Sequence, residues 1–158
     1  MAILIDKDTR VLIQGITGKA GREVTSELLD YGTKVVAGVT PQKGGQEVDT
    51  VPVFGSIKEV IDEIGRVDCS MVYVPPLMAK DAALEAIEAQ IPLVHIFVEK
   101  MPIFDVSVVL AKTKDKNVRV LGPASVGAIV PGEVKIGSIG GPNPNRVFSK
   151  GPIGVISK

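Results

Sequence analysis

Three glycines spaced three residues apart lie near the amino terminus, in the octapeptide QGITGKAG. They are Gly15, Gly18 and Gly21, and they stand between an apolar run and a segment with helical spacing. Because glycine has no side chain, backbone N–H groups in such a turn can approach an anion, and the amino terminus of a following helix adds partial positive charge. Thr17 offers a hydroxyl and Lys19 a cation. The pattern indicates a phosphate-binding turn, although tight turns without a ligand also use glycine.

The end of the next apolar run bears on which phosphate ligand fits this turn. A dinucleotide site normally has an acidic residue there, about twenty positions beyond the glycines, to hold ribose hydroxyls. This chain reads VTPQKGG instead, with Thr40, Pro41 and Lys43 and no carboxylate. A lysine at this place favours a further phosphate and disfavours NAD, although Lys43 alone could be a solvated loop charge. The chain also lacks a G-x-x-x-x-G-K-[ST] loop, which disfavours ATP as the sole ligand.

Three further residues could take part in chemistry or belong to the core. Tyr73 ends a third apolar run in YVPP, where it could flank an adenine or equally cap the core. The single histidine, His95, lies inside the apolar segment IPLVHIFVE, so we predict a core histidine and not a catalytic one. The single cysteine, Cys69, heads an apolar run and is predicted to be a small core residue.

Short runs rich in valine and isoleucine alternate with helical patterns along the chain, which is typical of a parallel sheet. The predicted strands cover 10–14, 34–39, 69–74, 93–97 and 118–121, and 154–157 could be a sixth. The predicted helices cover 20–31, 56–64 with a capping box in SIKE, a segment from after Pro75-Pro76 to about Gln90, and one from Pro102. We therefore predict an α/β fold, Rossmann-like and doubly wound, with a mostly parallel sheet and helices on both faces. In such folds ligands bind at the carboxyl ends of the strands, where the glycine turn lies.

The sequence changes character after Leu121. Residues 122–154 hold 8 of the 17 glycines and 5 of the 11 prolines, with one strand-like piece, EVKIG, at 133–137. Loops of this length are usually functional or disordered. Because this one also carries apolar residues, we predict a packed Gly/Pro-rich loop region, 122–152, over the carboxyl edge of the sheet. The length of 158 residues suits a single domain, 1–158.

The charge balance and the amino-terminal sequence disfavour nucleic-acid binding and membrane insertion. The 18 acidic and 18 basic residues give zero net charge, and there is no basic stripe, so nucleic-acid binding is disfavoured. The amino-terminal sequence MAILIDKDTR is neither a signal peptide nor a membrane span, which predicts a cytoplasmic protein with no membrane partner.

Read in order, these motifs resemble the CoA-binding domain of the succinyl-CoA synthetase α-subunit superfamily. The resemblance runs through ILIDKDTRVLIQGITGKAG, YGTKVVAGVTPQKGG, VPVFGSIKEV, VYVPP and GP..VGAIVPGEVKIG. It implies that the glycine turn and the helix dipole hold the phosphates of coenzyme A. By matching motif, it places the coenzyme contacts on Gly15, Thr17, Gly18, Lys19, Ala20, Gly21, Val39, Thr40, Pro41, Lys43, Tyr73, Val74 and Pro75, with Glu99 near the thiol end. Ser125 of GPASVG is the candidate contact for the pantetheine end, unless that loop is purely structural.

Two segments depart from the succinate enzymes. GPASVG at 122–127 and KIGSIGG at 135–141 look more like ATP-citrate lyase and the citryl-CoA synthetase small subunit, which favours citrate over succinate as the acyl source. The Glu-Gly-Ile-Pro of the family becomes EKMP at 99–102, which weakens the role carried over to Glu99.

The resemblance implies an ATP-dependent acyl-CoA synthetase in which a phosphoryl group passes through a histidine. That histidine, ATP and magnesium would belong to a partner subunit or a following ligase domain, which we expect to be absent here. This chain would supply binding and orientation, with no catalytic residue or metal site of its own. Two alternatives stay open, a stand-alone CoA-binding or regulatory module and, less favoured, an NAD-dependent oxidoreductase.

Overall fold

A seven-stranded, mostly parallel sheet forms the centre of the computed structural model, which describes residues 3–157. Its strands are β1 (Arg10–Gln14), β2 (Lys34–Val39), β3 (Glu47–Val48), β4 (Val51–Phe54), β5 (Cys69–Val72), β6 (Leu93–Ile96) and β7 (Arg119–Leu121). Their order in the sheet is β3-β4-β2-β1-β5-β6-β7, and only the β3–β4 pair is antiparallel. The chain thus winds outwards in both directions from β1, which confirms the predicted doubly wound fold. Met1, Ala2 and Lys158, the ends of the predicted domain, lie outside the described residues.

Four α-helices connect these strands. They are α1 (Lys19–Tyr31), α2 (Ile57–Ile64), α3 (Ala79–Glu88), which follows a single 3₁₀ turn at Pro76–Met78, and α4 (Ile103–Thr113). The predicted capping box begins α2, because Glu59 N–H donates to Ser56 Oγ at 3.3 Å while the Glu59 carboxylate accepts from Gly55 N–H at 2.9 Å. No helix of the described part of the chain is long and apolar enough to cross a membrane.

Alternation along the strands divides the core into two layers. In β1, Leu12 faces the layer formed with α2, α3 and α4, whereas Val11 and Ile13 face the layer formed with α1. In β6, Val94 and His95 divide in the same way. The helices therefore lie on both faces, as predicted, and each face of the sheet is buried by a different set.

The sequence did not predict the β3–β4 hairpin. Its two strands are only two and four residues long, Pro52 interrupts the second, and the turn has no glycine. Asp49 and Thr50 both have positive φ, 48° and 70°, as a two-residue type I′ turn requires. Such values are unusual for threonine, so propensity alone gives little warning of this turn.

The segment after β7 differs in part from the prediction. Its first residues do reach the carboxyl edge of the sheet, where Ser125 N–H donates to the Ile96 carbonyl at 3.3 Å. The rest forms an antiparallel hairpin of β8 (Ala128–Val130) and β9 (Val134–Ile136), whose buried residues pack in the α1 layer. Residues 154–157 form no strand, so the possible sixth strand is wrong: the local apolar pattern is present, but no neighbouring strand pairs with it.

Candidate functional site

The glycine turn joins β1 directly to α1 and is packed against its own backbone. Gly15 has a φ of 82°, and its N–H donates to the Val39 carbonyl at 2.7 Å. A Cβ at Gly21 would collide with the carbonyl oxygen of Gly15. The glycines at 15 and 21 are therefore required by backbone conformation and close packing.

The amino terminus of α1 is open to an anion. Gly18 is the N-cap residue and supplies no side-chain cap, and the first turn of the helix contains no acidic residue. Gly18, Lys19 and Ala20 are all exposed. The first N–H groups of a helix have no partner within the helix, so here they present donors and partial positive charge to the solvent.

A hydroxyl pair connects the turn to the end of β2. Thr17 Oγ1–H donates to Thr40 Oγ1 at 3.2 Å, and the Thr40 N–H donates to the Phe54 carbonyl at 3.0 Å. Lys43 follows on the exposed loop, where its N–H closes a turn onto the Thr40 carbonyl at 3.1 Å. No carboxylate of residues 3–157 lies within 4.0 Å of the Lys43 ammonium. The residue that replaces the expected acid is thus a cation without a carboxylate partner.

One cleft, of about 360 Å³, opens between the glycine turn and α3; we call it the Pro41 cleft. Its lining residues are Gln14, Gly15, Val39, Pro41, Val74, Met78, Asp81, Ala82 and Glu85. Buried Gln14 fixes this wall: its Nε2–H donates to the Ala82 carbonyl at 2.9 Å and its Oε1 accepts from Ser70 at 2.9 Å. Sequence reasoning missed Gln14 and Met78. A polar residue ending a buried strand was the available signal for Gln14.

A second cleft, of about 330 Å³, lies on the other side of Val74; we call it the Glu99 cleft. Its lining residues are Ala20, Tyr73, Val74, Pro76, Phe97, Val98 and Glu99. The Tyr73 ring stacks on Phe97, with ring centroids 4.6 Å apart and planes inclined by 5°. Because Val74 lines both clefts, they adjoin along the carboxyl edge, and we call the two together the hollow.

The predicted contact residues that do not line the Pro41 cleft include Tyr73, Lys19, Ser125 and Pro75. Tyr73 is only 7% exposed and lines the Glu99 cleft, not the Pro41 cleft, so it does not form the wall of the latter. The Lys19 side chain is 91% exposed and lies 4.0 Å from the carboxylate of Glu23. Ser125 lines neither cleft, since its Oγ accepts from Gly127 N–H at 3.1 Å within its own loop. Pro75 is exposed and is not among the residues that line either cleft.

His95 lies in the core beneath the loop that contains Ser125. It is fully buried, and its Nε2 lies 2.9 Å from the Ser125 carbonyl, which fits a donated hydrogen bond and fixes the loop. Burial lowers the pKa of His95 to about 4, and burial raises the pKa of Tyr73. His95 Nδ1 and Tyr73 Oη have no hydrogen-bond partner among residues 3–157. His95 is therefore a neutral core residue, as predicted, and Cys69 is likewise fully buried.

Another hollow, of about 370 Å³, lies at the opposite, amino edge of the sheet. Its charged groups are already engaged: the Arg10 guanidinium donates to the carbonyls of Arg66 and Ile64, and Arg66 lies 2.6 Å from Asp68. Because these donors are paired within the protein, and because ligands of open α/β sheets bind at the carboxyl edge, this hollow is the weaker candidate.

Curated relatives match the whole length of this chain. The α subunit of the ADP-forming succinate–CoA ligase of Aquifex aeolicus is 44% identical over 164 aligned residues, which cover 100% of this chain and 51% of the relative. The corresponding α subunit 1 of Archaeoglobus fulgidus is 42% identical and is matched over 100% of this chain and 53% of its own length. The chain thus spans about half the length of these relatives.

Among solved structures, ATP citrate lyase from Methanothrix soehngenii, in complex with citrate and coenzyme A, superposes with a TM-score of 0.77. The match covers 90% of this chain and 25% of that one at 21% identity, so it shows the fold alone. A family model described as "CoA binding domain" matches residues 6–100, which include the glycine turn, Lys43 and both ends of the hollow. Since this match extends over more than half of the sequence, the chain belongs to the CoA binding domain family.

Proposed function

We propose that this chain holds coenzyme A along the carboxyl edge of its sheet and presents the thiol to an acyl phosphate in an ATP-dependent acyl-CoA synthetase. The observation that carries the proposal is that two adjoining clefts flank the uncapped, acid-free amino terminus of α1: Gly15 lines the Pro41 cleft and Ala20 lines the Glu99 cleft. A long ligand with phosphates in its middle suits this arrangement, because each end has a cleft and the phosphates have backbone donors.

The lining of each cleft supports an orientation for the ligand. The Pro41 cleft offers the apolar surfaces of Val39, Pro41 and Met78, which suit an adenine. The Glu99 cleft runs past Ala20 and Phe97 to an exposed carboxylate, which suits the pantetheine arm and its thiol. Thr17 and the first N–H groups of α1, which have no partner within the helix, follow Gly15 of the Pro41 cleft along the chain, and we place the pyrophosphate against them. Tyr73 then contacts the arm and not the adenine.

In this function the chain contributes positioning. Holding coenzyme A at both ends fixes the thiol, so its attack on an acyl phosphate becomes effectively intramolecular. In that step the thiol sulfur forms a bond to the acyl carbon, phosphate leaves with the bonding electrons, and the thiol loses its proton. ATP, magnesium and the phosphohistidine belong to the rest of the assembly, and the names of the relatives, α subunits of a ligase, support a partner subunit.

We propose citrate as the acyl source on the sequence of GPASVG and KIGSIGG, with succinate as the alternative that the names of the curated relatives support. A stand-alone coenzyme A-binding module is the second candidate function. It shares the same hollow, and the two are distinguished by whether citryl-CoA or succinyl-CoA forms when the chain is combined with a ligase partner and ATP.

The first test is a comparison of coenzyme A with NADH by isothermal titration calorimetry. We expect coenzyme A to bind at least about tenfold more tightly, because Thr40 and Lys43 replace the carboxylate that holds a ribose of NAD. Tight NADH binding without coenzyme A binding would show that the assignment is wrong.

Replacement of Lys43 by alanine tests the outermost phosphate contact. We expect the dissociation constant for coenzyme A to rise about tenfold, since a charge-assisted contact to the 3′-phosphate is lost, and that for dephospho-CoA to stay unchanged. Lys58→Ala is the control, because Lys58 is an exposed lysine on α2 that pairs with Asp62. Equal losses for both ligands would refute a 3′-phosphate contact for Lys43.

A further inference from the structure

Arg22 places a guanidinium beside the glycine turn. It lies in the first turns of α1, and its Nε–H donates to the Thr17 carbonyl at 3.2 Å. Its backbone N–H donates to the Gly18 carbonyl at 2.9 Å, so it stacks one helical turn above the N-cap residue. The side chain is exposed. In the sequence it reads as an ordinary charge on a helix surface, and only the folded turn brings it to Thr17.

The charge of Arg22 is not compensated locally. Among the residues that the structure describes, no carboxylate lies within 4.0 Å of its guanidinium, whereas Lys19 on the same helix lies at that distance from Glu23. The Thr17 carbonyl uses only the Nε–H, which leaves the two terminal amino groups for another acceptor. A guanidinium held by one N–H is oriented in advance, so it loses less freedom when it binds an oxyanion in a bidentate manner.

We infer that Arg22 binds the pyrophosphate of coenzyme A from the α1 side of the turn and so has the role that the sequence suggested for Lys19. This inference rests on the proposed function of the hollow. The pyrophosphate lies in the middle of the ligand, where the Pro41 and Glu99 clefts meet the turn, and Arg22 contacts Thr17 of that turn. Lys43 instead follows Thr40 on the loop after β2, towards the adenine end. The two cations thus serve different phosphates.

The test compares Arg22→Gln with the unaltered chain by titration with coenzyme A and with dephospho-CoA, which keeps the pyrophosphate and lacks the 3′-phosphate. We expect both dissociation constants to rise about tenfold, because both ligands lose the same charge-assisted bidentate contact. Lys112→Gln removes one positive charge from the exposed surface of α4 and is expected to change neither constant. The thermal unfolding midpoint of Arg22→Gln should match that of the unaltered chain, since the side chain is exposed.

Each result bears on the inference. Equal losses for both ligands support it. Unchanged constants, or a loss restricted to coenzyme A, overturn the pyrophosphate assignment while the proposed function stands. Binding of both ligands by the unaltered chain is measured first. If it binds neither ligand, the proposed function is wrong, and the role of Arg22 is wrong with it.

Discussion

Replacement of Lys135 by methionine is expected to lower the free energy of unfolding by about 3 kcal/mol, even though Lys135 lies outside the proposed site. The Lys135 side chain is 0% exposed. Its ammonium donates to the Gly141 carbonyl at 2.8 Å, to the Glu27 carboxylate at 3.1 Å and to the Ile139 carbonyl at 3.4 Å. Three protons thus meet three acceptors, and methionine would leave all three acceptors without their donor.

The effect extends beyond these hydrogen bonds because Lys135 joins two elements. It lies in β9, and Glu27 lies in α1, so the ion pair ties the β8–β9 hairpin to the helix that begins at the glycine turn. Val134 and Ile136, on either side of Lys135, are buried in the same layer. Loosening the hairpin would expose that layer, which adds to the cost of the unpaired groups.

Urea denaturation at pH 7 would measure this change. Lys150→Met is the matched control in the same region, because the Lys150 side chain is 82% exposed and its pair with Glu133, at 3.3 Å, is a surface pair worth less than about 1 kcal/mol. If Lys135→Met were as stable as the unaltered chain, the ammonium would not be holding the hairpin on α1.

The parts of the fold that the sequence predicts are those set by local rules. Apolar runs predict β1, β2, β5 and β6 at or near their observed bounds, because strands buried on both faces leave a continuous apolar pattern. The glycine turn is also predicted from local sequence, since the backbone conformation at Gly15 and the close packing at Gly21 require glycine. In both cases the residues that specify the structure are close to it in sequence.

The parts that could not be predicted depend on contacts distant in sequence. Alternation in EVKIG would place Lys135 opposite Val134 and Ile136 and so in solvent, but residues 139–141 and α1 cover it. Met78 and Ala82 line the Pro41 cleft only because the start of α3 lies at the carboxyl edge, where the Ala82 carbonyl accepts from Gln14 of β1. Arg22 is the exception, because its partner, the Thr17 carbonyl, is close in sequence but reaches the guanidinium only when the glycine turn is folded. The positions of these residues therefore depend on the folded structure, and residue type alone does not predict them.

Stability is expected to fall by about 2 kcal/mol between pH 7 and pH 5 through His95 alone. Burial lowers the pKa of His95 from 6.5 to about 4, so the folded protein resists protonation over a range in which the unfolded chain accepts the proton. The stabilisation from a neutral, buried His95 is therefore fully present above pH 6.5 and is lost progressively as the pH falls towards 4. Tyr73, whose ring centroid lies 6.3 Å away, stays neutral throughout because burial raises its pKa.

His95→Gln isolates this contribution, since glutamine keeps a donor for the Ser125 carbonyl, 2.9 Å from Nε2, but does not titrate. Between pH 7 and pH 5 we expect the free energy of unfolding of the variant to fall by about 2 kcal/mol less than that of the unaltered chain. This expectation does not depend on the stability of the variant at pH 7. The difference between the two pH profiles is the informative quantity, because carboxylates titrate in both proteins and cancel. Parallel profiles would mean that His95 accepts a proton in the folded state as readily as in the unfolded chain. In that case the folded protein would not keep His95 buried and neutral.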